Sequence, residues 1–188
     1  MEIILASGSP RRRELMALIT PDCRVVPGTV DESRITAPSP QALVGALAAA
    51  KCAEVSLHYP QAAVIGADTV VDCGGEVFGK PKDEADAARM LRRLSGGVHA
   101  VHTGVCIRCP AGQRSFVVTS RVRFFPIPEP ELRAYLTTAE PYDKAGAYAI
   151  QGQAALWLDA IEGDYYNIMG FPVSRVAAAL RQLGIVEK

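Results

Sequence analysis

The 188-residue sequence has no long apolar run and no excess of charge of either sign. A membrane-spanning helix needs about 18 or more consecutive apolar residues, so none is expected. Its 20 basic and 20 acidic residues balance, which gives no overall field favouring nucleic acid or an acidic membrane surface. The apolar stretch at the N-terminus is short and three arginines follow it, unlike a secretory signal. We therefore expect a cytoplasmic protein with neither nucleic acid nor a membrane as partner.

Ordered cysteine and histidine patterns are also missing. The five cysteines are scattered and odd in number, which argues against a disulfide framework. Cys106 and Cys109 form a CxxC spacing, but on a predicted strand they point to opposite faces, and no second pair supplies further zinc ligands. We interpret this spacing as coincidence. The same alternation makes His99 and His102 poor joint metal ligands, and we assign them no role.

Two common catalytic motifs are absent as well. No GxxxxGK[ST] segment occurs, which excludes a P-loop nucleotide hydrolase. The serine that follows Gly8 is not part of a GxSxG turn, so a serine hydrolase with that turn is excluded too.

What the sequence does have begins at its N-terminus, with a predicted strand, tight turn and helix. Residues 3–6 are apolar, Ser9 is a good helix cap, and Pro10 suits the first helical position. Arg11, Arg12 and Arg13 then crowd a first turn where the helix dipole disfavours cations. A bound anion would offset that cost, whereas a solvated basic turn is the alternative. Because serine, glycine and arginine converge there, we favour a phosphate site.

The rest of the chain alternates helical and strand patterns. A long helix is predicted from Ser39-Pro40 to before Pro60, a strand over 154–161, and a final helix over 172–183. Hairpin-like strand pairs occur among the βα units. The pattern therefore predicts one α/β domain over residues 1–188 with a mixed sheet.

Several charged residues stand where local propensity would not place them. Asp68 lies inside the apolar run 64–71 and shares a strand face with Gly66, which would leave room for something to approach. A buried aspartate needs a partner or a metal; the alternative is a solvent-facing aspartate near a strand end. Lys51 falls on the apolar stripe of the long helix, and Lys80 follows a predicted hairpin. Taken alone, each lysine is typical of a solvated side chain.

The run Asp143–Gly152 fits neither an amphipathic helix nor a strand. Its small residues between glycines favour a backbone that passes close to a ligand. Gln151 carries both a donor and an acceptor with which it could read the edge of a base. A plain tight loop is the alternative.

Together these segments resemble the Maf family of nucleoside triphosphate pyrophosphatases. The matching pieces occur in family order over nearly the whole chain: Leu5–Arg12, Glu32, Lys51, Gly66–Val70, Gly79–Pro81, Met90–Gly96, Asp143–Gly152, Gly163–Tyr166 and Met169–Pro172. The run around Asp143 is similar to the branch acting on dTTP and UTP rather than on 7-methyl-GTP. Ala149 departs from the glycine common in that branch.

The resemblance implies a fold and an activity. The fold is an elongated mixed β-sheet flanked by helices, with two lobes and a central cleft, similar to inosine triphosphate pyrophosphatases. The activity is hydrolysis of dTTP and UTP, with modified pyrimidine nucleotides as further substrates, to the monophosphate and pyrophosphate. A homodimer is compatible with this expectation.

The resemblance also implies residue roles. Asp68, Glu32, Lys51 and Lys80 are expected to be catalytic, with Asp68 as the proton acceptor. Asp68 and Glu32 would also hold Mg²⁺ or Mn²⁺, which prefer such oxygen ligands. The residues expected to bind the substrate are Ser7, Arg11, Arg12, Thr69 and Gln151.

Two alternatives stay open. The helix terminus places Arg11 at a phosphate, whereas the resemblance places it among the specificity residues. The rival function is a nucleotide-sensing regulator of cell division without turnover. A pure sensor needs no carboxylate to activate water, so the presence of Asp68 beside the other charged residues favours an enzyme.

Overall fold

The computed structural model describes residues 1–187, which form seven strands and six α-helices joined by short 3₁₀ turns. The strands are β1 (Ile3–Ala6), β2 (Cys23–Val25), β3 (Ala63–Cys73), β4 (Glu76–Phe78), β5 (Val98–Cys109), β6 (Gly112–Phe124) and β7 (Leu158–Glu162). The helices are α1 (Pro10–Ala17), α2 (Pro40–His58), α3 (Glu84–Leu94), α4 (Glu129–Leu136), α5 (Tyr165–Ile168) and α6 (Val173–Gln182). Within this described part, no helix combines the length and apolar character needed to cross a membrane.

All seven strands belong to one sheet. Its order is β2-β1-β3-β5-β6-β7, and β4 pairs with β3. β1 runs parallel to β2 and to β3, with Ile3 opposite Cys23 and Ala63. The β3–β4 and β6–β7 pairs are antiparallel. Parallel and antiparallel pairs in one sheet confirm the predicted mixed α/β class.

Helices α1 and α2 begin where the cap signals in the sequence predict. Ser9 accepts a hydrogen bond from the Arg12 amide at 3.4 Å, and Ser39 accepts one from the Ala42 amide at 3.1 Å. In both cases a proline occupies the first helical position, where its missing N–H would be unpaired anyway. The starts of α1 and α2 were therefore predictable from local chemistry.

The strand predicted over 154–161 is wrong in its first half. Residues Gln153–Trp157 form a 3₁₀ turn, and β7 begins only at Leu158. The buried Trp157 ring packs edge-on against Tyr135, and its Nε1 donates to Glu131 Oε2 at 2.9 Å. Packing against α4 therefore decides the conformation of this segment, and tertiary contacts override the strand propensity of the local sequence.

The chain divides into two compact units. Unit 1 comprises Met1–Asp68, Thr103–Val118 and the described residues from Gly170 onward; unit 2 comprises Thr69–His102 and Thr119–Met169. In unit 1, α2 covers β1 and β3 through an apolar cluster that includes Ile4, Ala48 and Val64. The core of unit 2 gathers apolar side chains of α3 and α4 with aromatic residues of β6 and of the segment before β7. The prediction of a single domain stays a prediction.

Helix α2 lies very close to the sheet of unit 1. A Cβ on Gly66 would come within 2.4 Å of the Ala48 carbonyl oxygen, and one on Gly104 within 2.2 Å of the Val44 carbonyl oxygen. The space expected at Gly66 is therefore filled by the helix backbone and not by a ligand. This corrects the sequence interpretation, and it explains how the helix reaches the strand that carries Asp68.

Candidate active site

Three residues expected to be catalytic meet in unit 1. Lys51 Nζ lies 2.6 Å from Asp68 Oδ1 and 2.7 Å from Glu32 Oε1. The side chain of Lys51 is 16% exposed and that of Asp68 11%, whereas that of Glu32 is 54% exposed. The Lys51 side chain therefore does not extend into water, as that of an isolated lysine on the apolar face of a helix would. One ammonium is shared by a buried and an exposed carboxylate, and we call this set the Lys51 cluster.

Regular elements position two members of the Lys51 cluster. Asp68 is on β3, and Lys51 is on the turn of α2 between Ala48 and Cys52. Both of those helix residues contact the position where a Cβ on Gly66 would be. Gly66 and Asp68 share a strand face because they are two residues apart. The glycine therefore allows the close approach that brings Lys51 to Asp68.

Glu32 is delivered by a loop that α2 holds at a second point. Thr29 donates from its backbone amide to both Glu54 carboxylate oxygens, at 2.9 and 2.8 Å, and its hydroxyl also donates to Glu54. These hydrogen bonds lower the pKa of Glu54, with the Thr29 hydroxyl contributing most. Glu54 is three residues beyond Lys51, so the two side chains project from neighbouring positions on the same helix. The loop is thus fixed through Thr29 and Glu32 together.

Burial dominates the electrostatics at Asp68. Loss of solvation raises the pKa of this carboxyl above its ordinary value, and the adjacent Lys51 charge and hydrogen bond act in the opposite direction. Arg12 also lowers the pKa of Asp68, and Glu32 raises it. A carboxylate whose pKa is moved upward is a better proton acceptor near neutral pH than an ordinary aspartate.

Arg12, in the first turn of α1, forms hydrogen bonds with other segments of unit 1. The Arg12 guanidinium donates to the Ala67 carbonyl oxygen at 2.8 Å, the Gly170 carbonyl oxygen at 2.8 Å and the Ser7 hydroxyl at 3.3 Å. Burial lowers the pKa of Arg12, while the Asp68 charge acts to raise it. Arg12 thus connects the N-terminal turn to the strand residue just before Asp68. The phosphate roles of Ser7, Arg11 and Arg12 stay predictions.

The donor set of the Lys51 cluster fits a hard divalent cation. Among the described residues, no group of three or more His, Cys, Asp or Glu side chains could hold a metal by itself. Mg²⁺ is ordinarily held by one or two carboxylates, with water and substrate phosphates completing its ligands. Glu32 and Asp68, which both contact the Lys51 ammonium, supply two such carboxylates.

The other three predicted residues belong to unit 2. Thr69 follows Asp68 on β3 and shares a strand face with Val71, against which Gly146 packs so tightly that a Cβ there would be 2.8 Å from Val71 Cγ2. Lys80 is exposed and follows Gly79, whose carbonyl oxygen accepts from the Gly146 amide at 3.1 Å. Gln151 is also exposed.

The segment Asp143–Gly152 has the irregular backbone that its composition predicts. It forms 3₁₀ turns, with Gly146 at φ 71° and Ala147 at φ 60°, both in the left-handed region. Tyr148 is buried, and its hydroxyl lies 2.8 Å from His99 Nε2. Residues 146–150 are buried while Gln151 is exposed. The structure therefore fixes the body of the segment and presents Gln151 at its end.

His99 and His102 lie on opposite sides of β5, as the sequence predicts. His99 packs edge-on against Phe124 and Tyr148, whereas His102 Nδ1 lies 2.8 Å from the Thr119 hydroxyl. Burial lowers the pKa of His99 to about 4, so this side chain is neutral at physiological pH. Its contacts are structural and link β5 to the Tyr148 segment.

Sequence reasoning missed the residues that support the candidate site. Thr29 and Glu54 hold the Glu32 loop, and Tyr135 and Glu140 contact the backbone on either side of Gln151. Each is an ordinary polar residue in a loop or on a helix, with no motif or unusual spacing. Nothing in the one-dimensional pattern could have identified them, because their partners are distant in sequence or are backbone amides.

Comparison with known proteins extends these observations over nearly the whole chain. Residues 2–183 match the family described as Maf-like protein. The chain is 47% identical over 183 residues to a dTTP/UTP pyrophosphatase of Geobacillus sp. (strain WCH70), covering 97% of this chain and 98% of that protein. It is 45% identical over 186 residues to a dTTP/UTP pyrophosphatase of Koribacter versatilis (strain Ellin345), covering 99% and 96%.

Solved structures share the fold at low sequence identity. The Staphylococcus aureus Ham1 protein aligns with a TM-score of 0.56 and 15% identity, covering 97% of this chain and 99% of that one. A HAM1 protein from Coxiella burnetii gives a TM-score of 0.55 at 11% identity, covering the same shares. The mixed sheet and the Lys51 cluster are consistent with the family match, which extends from residue 2 to residue 183. The chain belongs to the Maf family.

Proposed function

We propose that the protein is a dTTP/UTP pyrophosphatase, which hydrolyses these nucleotides to the monophosphate and pyrophosphate. The observation that carries the proposal is the Lys51 cluster, in which a buried carboxylate with a raised pKa lies 2.6 Å from an ammonium. Charge neutralisation and an activated water are what phosphoryl-group hydrolysis requires. The choice of dTTP and UTP rests on the full-length dTTP/UTP pyrophosphatase relatives and on the Asp143–Gly152 segment.

In the proposed reaction, water attacks the α-phosphorus and the bond from that phosphorus to the bridging oxygen breaks. Pyrophosphate leaves, and Asp68 accepts the proton of the attacking water. Burial supports this role because it disfavours the ionised form of Asp68 and so raises its affinity for a proton. Lys51 and Lys80 provide point positive charges for the phosphate oxygens.

Glu32 and Asp68 would hold the divalent cation, Mg²⁺ or Mn²⁺. When bound, such an ion neutralises phosphate charge and polarises the phosphoryl oxygens. Both carboxylates already converge on the Lys51 ammonium, so a bound cation would take the place of Lys51 Nζ, which would then be available to a phosphate oxygen. Arg12, bonded to the carbonyl of Ala67, adds positive charge beside Asp68.

Selectivity for the base is assigned to Gln151, with Thr69 and Arg11 at the other specificity positions. The Gln151 amide can pair with both a carbonyl and an N–H on a pyrimidine edge. For Arg11, Arg11→Ala separates the two roles left open: a phosphate contact predicts a similar loss of kcat/KM for every nucleotide, and a base contact predicts a loss for some only.

The test is incubation with dTTP, UTP, CTP, GTP and 7-methyl-GTP in the presence of Mg²⁺ or Mn²⁺, with products separated by anion-exchange chromatography. We expect monophosphate and pyrophosphate, with dTTP and UTP preferred. Release of orthophosphate and a diphosphate would contradict the cleavage position. A preference for 7-methyl-GTP would contradict the substrate assignment, and nucleotide binding without turnover would favour the sensing function.

A further inference from the structure

Two side chains hold the backbone on both sides of Gln151. Neither belongs to the residues expected to be catalytic or to those expected to bind the substrate. The Ala149 amide donates to the Tyr135 hydroxyl at 3.3 Å. The Gln153 amide donates to Glu140 Oε1 at 3.1 Å and to Oε2 at 3.4 Å. Only residues 150–152 lie between these two fixed amides, and Gln151 is the central one.

Tyr135 and Glu140 also bind each other. The Tyr135 hydroxyl donates to Glu140 Oε1 at 3.0 Å, so one hydroxyl joins the carboxylate to the Ala149 amide. Burial raises the pKa of Tyr135, and the nearby Glu140 charge raises it further, so the hydroxyl keeps its donor proton at neutral pH. We call this unit the Tyr135–Glu140 pair.

The turn is shaped to the carboxylate of the pair. A Cβ on Gly152 would lie 2.2 Å from Glu140 Oε1 and 2.4 Å from Oε2, so a larger residue there would displace the carboxylate from the turn. The Gly152 amide also donates to the Ala149 carbonyl oxygen at 3.0 Å, which closes the turn around Gln151. The carboxylate therefore touches the turn at the residue directly after Gln151.

The pair is itself held rigidly. Tyr135 is 2% exposed, lies in the core of unit 2 and packs edge-on against Trp157 at 5.0 Å between ring centroids. The backbone of Glu140 is fixed by its amide, which donates to the Thr138 hydroxyl at 3.2 Å, and by its carbonyl, which accepts from Lys144 Nζ at 2.7 Å. A support locked by packing can hold a functional side chain in one position.

We propose that the Tyr135–Glu140 pair positions Gln151 and thereby sets the preference for pyrimidine over purine nucleotides. This inference rests on the proposed function, in which Gln151 contacts the base. Tyr135 and Glu140 are positioning residues: they act through Gln151 and touch no substrate. Their effect belongs in the ratio of activities on different bases, because phosphate binding and cleavage are assigned to other residues.

The experiment compares Tyr135→Phe and Glu140→Gln with wild type by kcat/KM for UTP, dTTP, CTP and GTP. Each change removes one hydrogen-bonding partner or one charge while keeping the side-chain shape. We expect kcat/KM for UTP and dTTP to fall about tenfold, which is the effect of losing one ordinary hydrogen bond. The value for GTP should change little. The matched control is Tyr142→Phe, which removes a hydroxyl that donates to the Leu136 carbonyl oxygen at 2.7 Å.

The control should keep the wild-type UTP/GTP ratio at a similar melting temperature. A structural role alone predicts that the Tyr135 and Tyr142 variants behave alike, or that all four nucleotides lose activity by one factor. Either result would overturn the inference. Should Tyr135→Phe not fold, Glu140→Gln makes the same comparison, because it keeps the side-chain shape but replaces one of the two oxygens that accept from the Gln153 amide with an NH2 group.

Repeating the changes in a Gln151→Ala background provides the decisive comparison. If the pair acts through Gln151, Tyr135→Phe should not lower the UTP/GTP ratio of kcat/KM values further in the Gln151→Ala variant. If the two residues act independently, the effects of the two substitutions on that ratio should add. Additive effects overturn the inference. Hydrogen exchange of the Ala149 and Gln153 amides adds a readout independent of turnover, and we expect faster exchange in Tyr135→Phe but not in Tyr142→Phe.

The two proposals fail in different ways. A wild-type protein that hydrolyses UTP and dTTP, combined with unchanged ratios in the pair variants, overturns the inference alone. A wild-type protein inactive on both nucleotides overturns the proposed function, and the positioning role falls with it.

Discussion

The Lys51 cluster of unit 1 and the Asp143–Gly152 segment of unit 2 are held together by different interactions. The cluster places charged side chains on a helix, a strand and one fixed loop, and their mutual attraction holds them. The segment has no regular structure around Gln151, and neutral hydroxyls, backbone amides and one carboxylate hold it in place. Strong charges are suited to groups common to all nucleotides, whereas an exposed amide at a fixed turn is suited to distinguishing bases.

That difference implies that the two regions can be impaired separately. Changes in the Lys51 cluster should lower turnover of every nucleotide. Changes in the segment should alter which nucleotide is preferred.

The largest effect is expected for Asp68→Asn. Loss of a general base typically lowers the rate by about 10²–10⁴-fold, and the loss should be similar for all nucleotides. The variant should still fold, because asparagine keeps the shape of Asp68, and circular dichroism and the melting temperature check this against the weakened contact with Lys51. The matched control is Asp72→Asn, on the same strand and face. If Asp68→Asn retained most of the activity, turnover would not depend on the Lys51 cluster.

Glu32→Gln should have the next largest effect. Removing one carboxylate should weaken divalent-cation binding at least about tenfold, as changes around metal sites commonly do. Titrating the rate with Mg²⁺ and Mn²⁺ should therefore show partial recovery at high metal concentration. Glu14→Gln, an exposed change on α1, should match wild type. An equal loss at every metal concentration would remove Glu32 from the proposed ligands.

Gln151→Ala should change preference more than rate. Losing the amide should lower kcat/KM for dTTP and UTP by about tenfold and leave a poor purine substrate nearly unchanged. The measurement is the ratio of kcat/KM values for UTP, dTTP, CTP and GTP, with the exposed Gln153→Ala as control. An equal decrease for all four would mean that Gln151 only supports the loop.

The smallest effect on catalysis is expected at His99, where acid should affect stability instead. Because burial lowers the pKa of His99 from 6.5 to about 4, the unfolded chain binds a proton first as the pH falls. The stability of the neutral folded form is therefore complete above pH 6.5 and decreases toward pH 4, by about 3 kcal/mol in total. The aromatic neighbours of this ring are Phe124 and Tyr148.

Urea unfolding of wild type and His99→Gln between pH 7 and 4 measures this contribution. The variant should lose less stability on acidification, while the exposed His58→Gln should follow wild type. Parallel pH dependence of all three proteins would show that His99 does not carry the effect.

The sequence determined the parts of this protein that depend on local chemistry. Caps and prolines placed the starts of α1 and α2, and apolar runs placed β1 and β3, because these signals act within a few residues. The family motifs predicted roles for Glu32, Lys51 and Asp68, three residues that the structure brings together. The composition of Asp143–Gly152 also predicted an irregular backbone, since glycine at position 146 can adopt the positive φ that the turn requires.

Only the tertiary structure decided which groups meet. It filled the space at Gly66 with helix α2, brought Lys51 between two carboxylates, and turned residues 153–157 away from β structure to bury Trp157. It also recruited Glu54, Tyr135 and Glu140, which carry no sequence signal. Such contacts join residues that are distant in sequence or use backbone amides, and their free energy exists only once the core has packed.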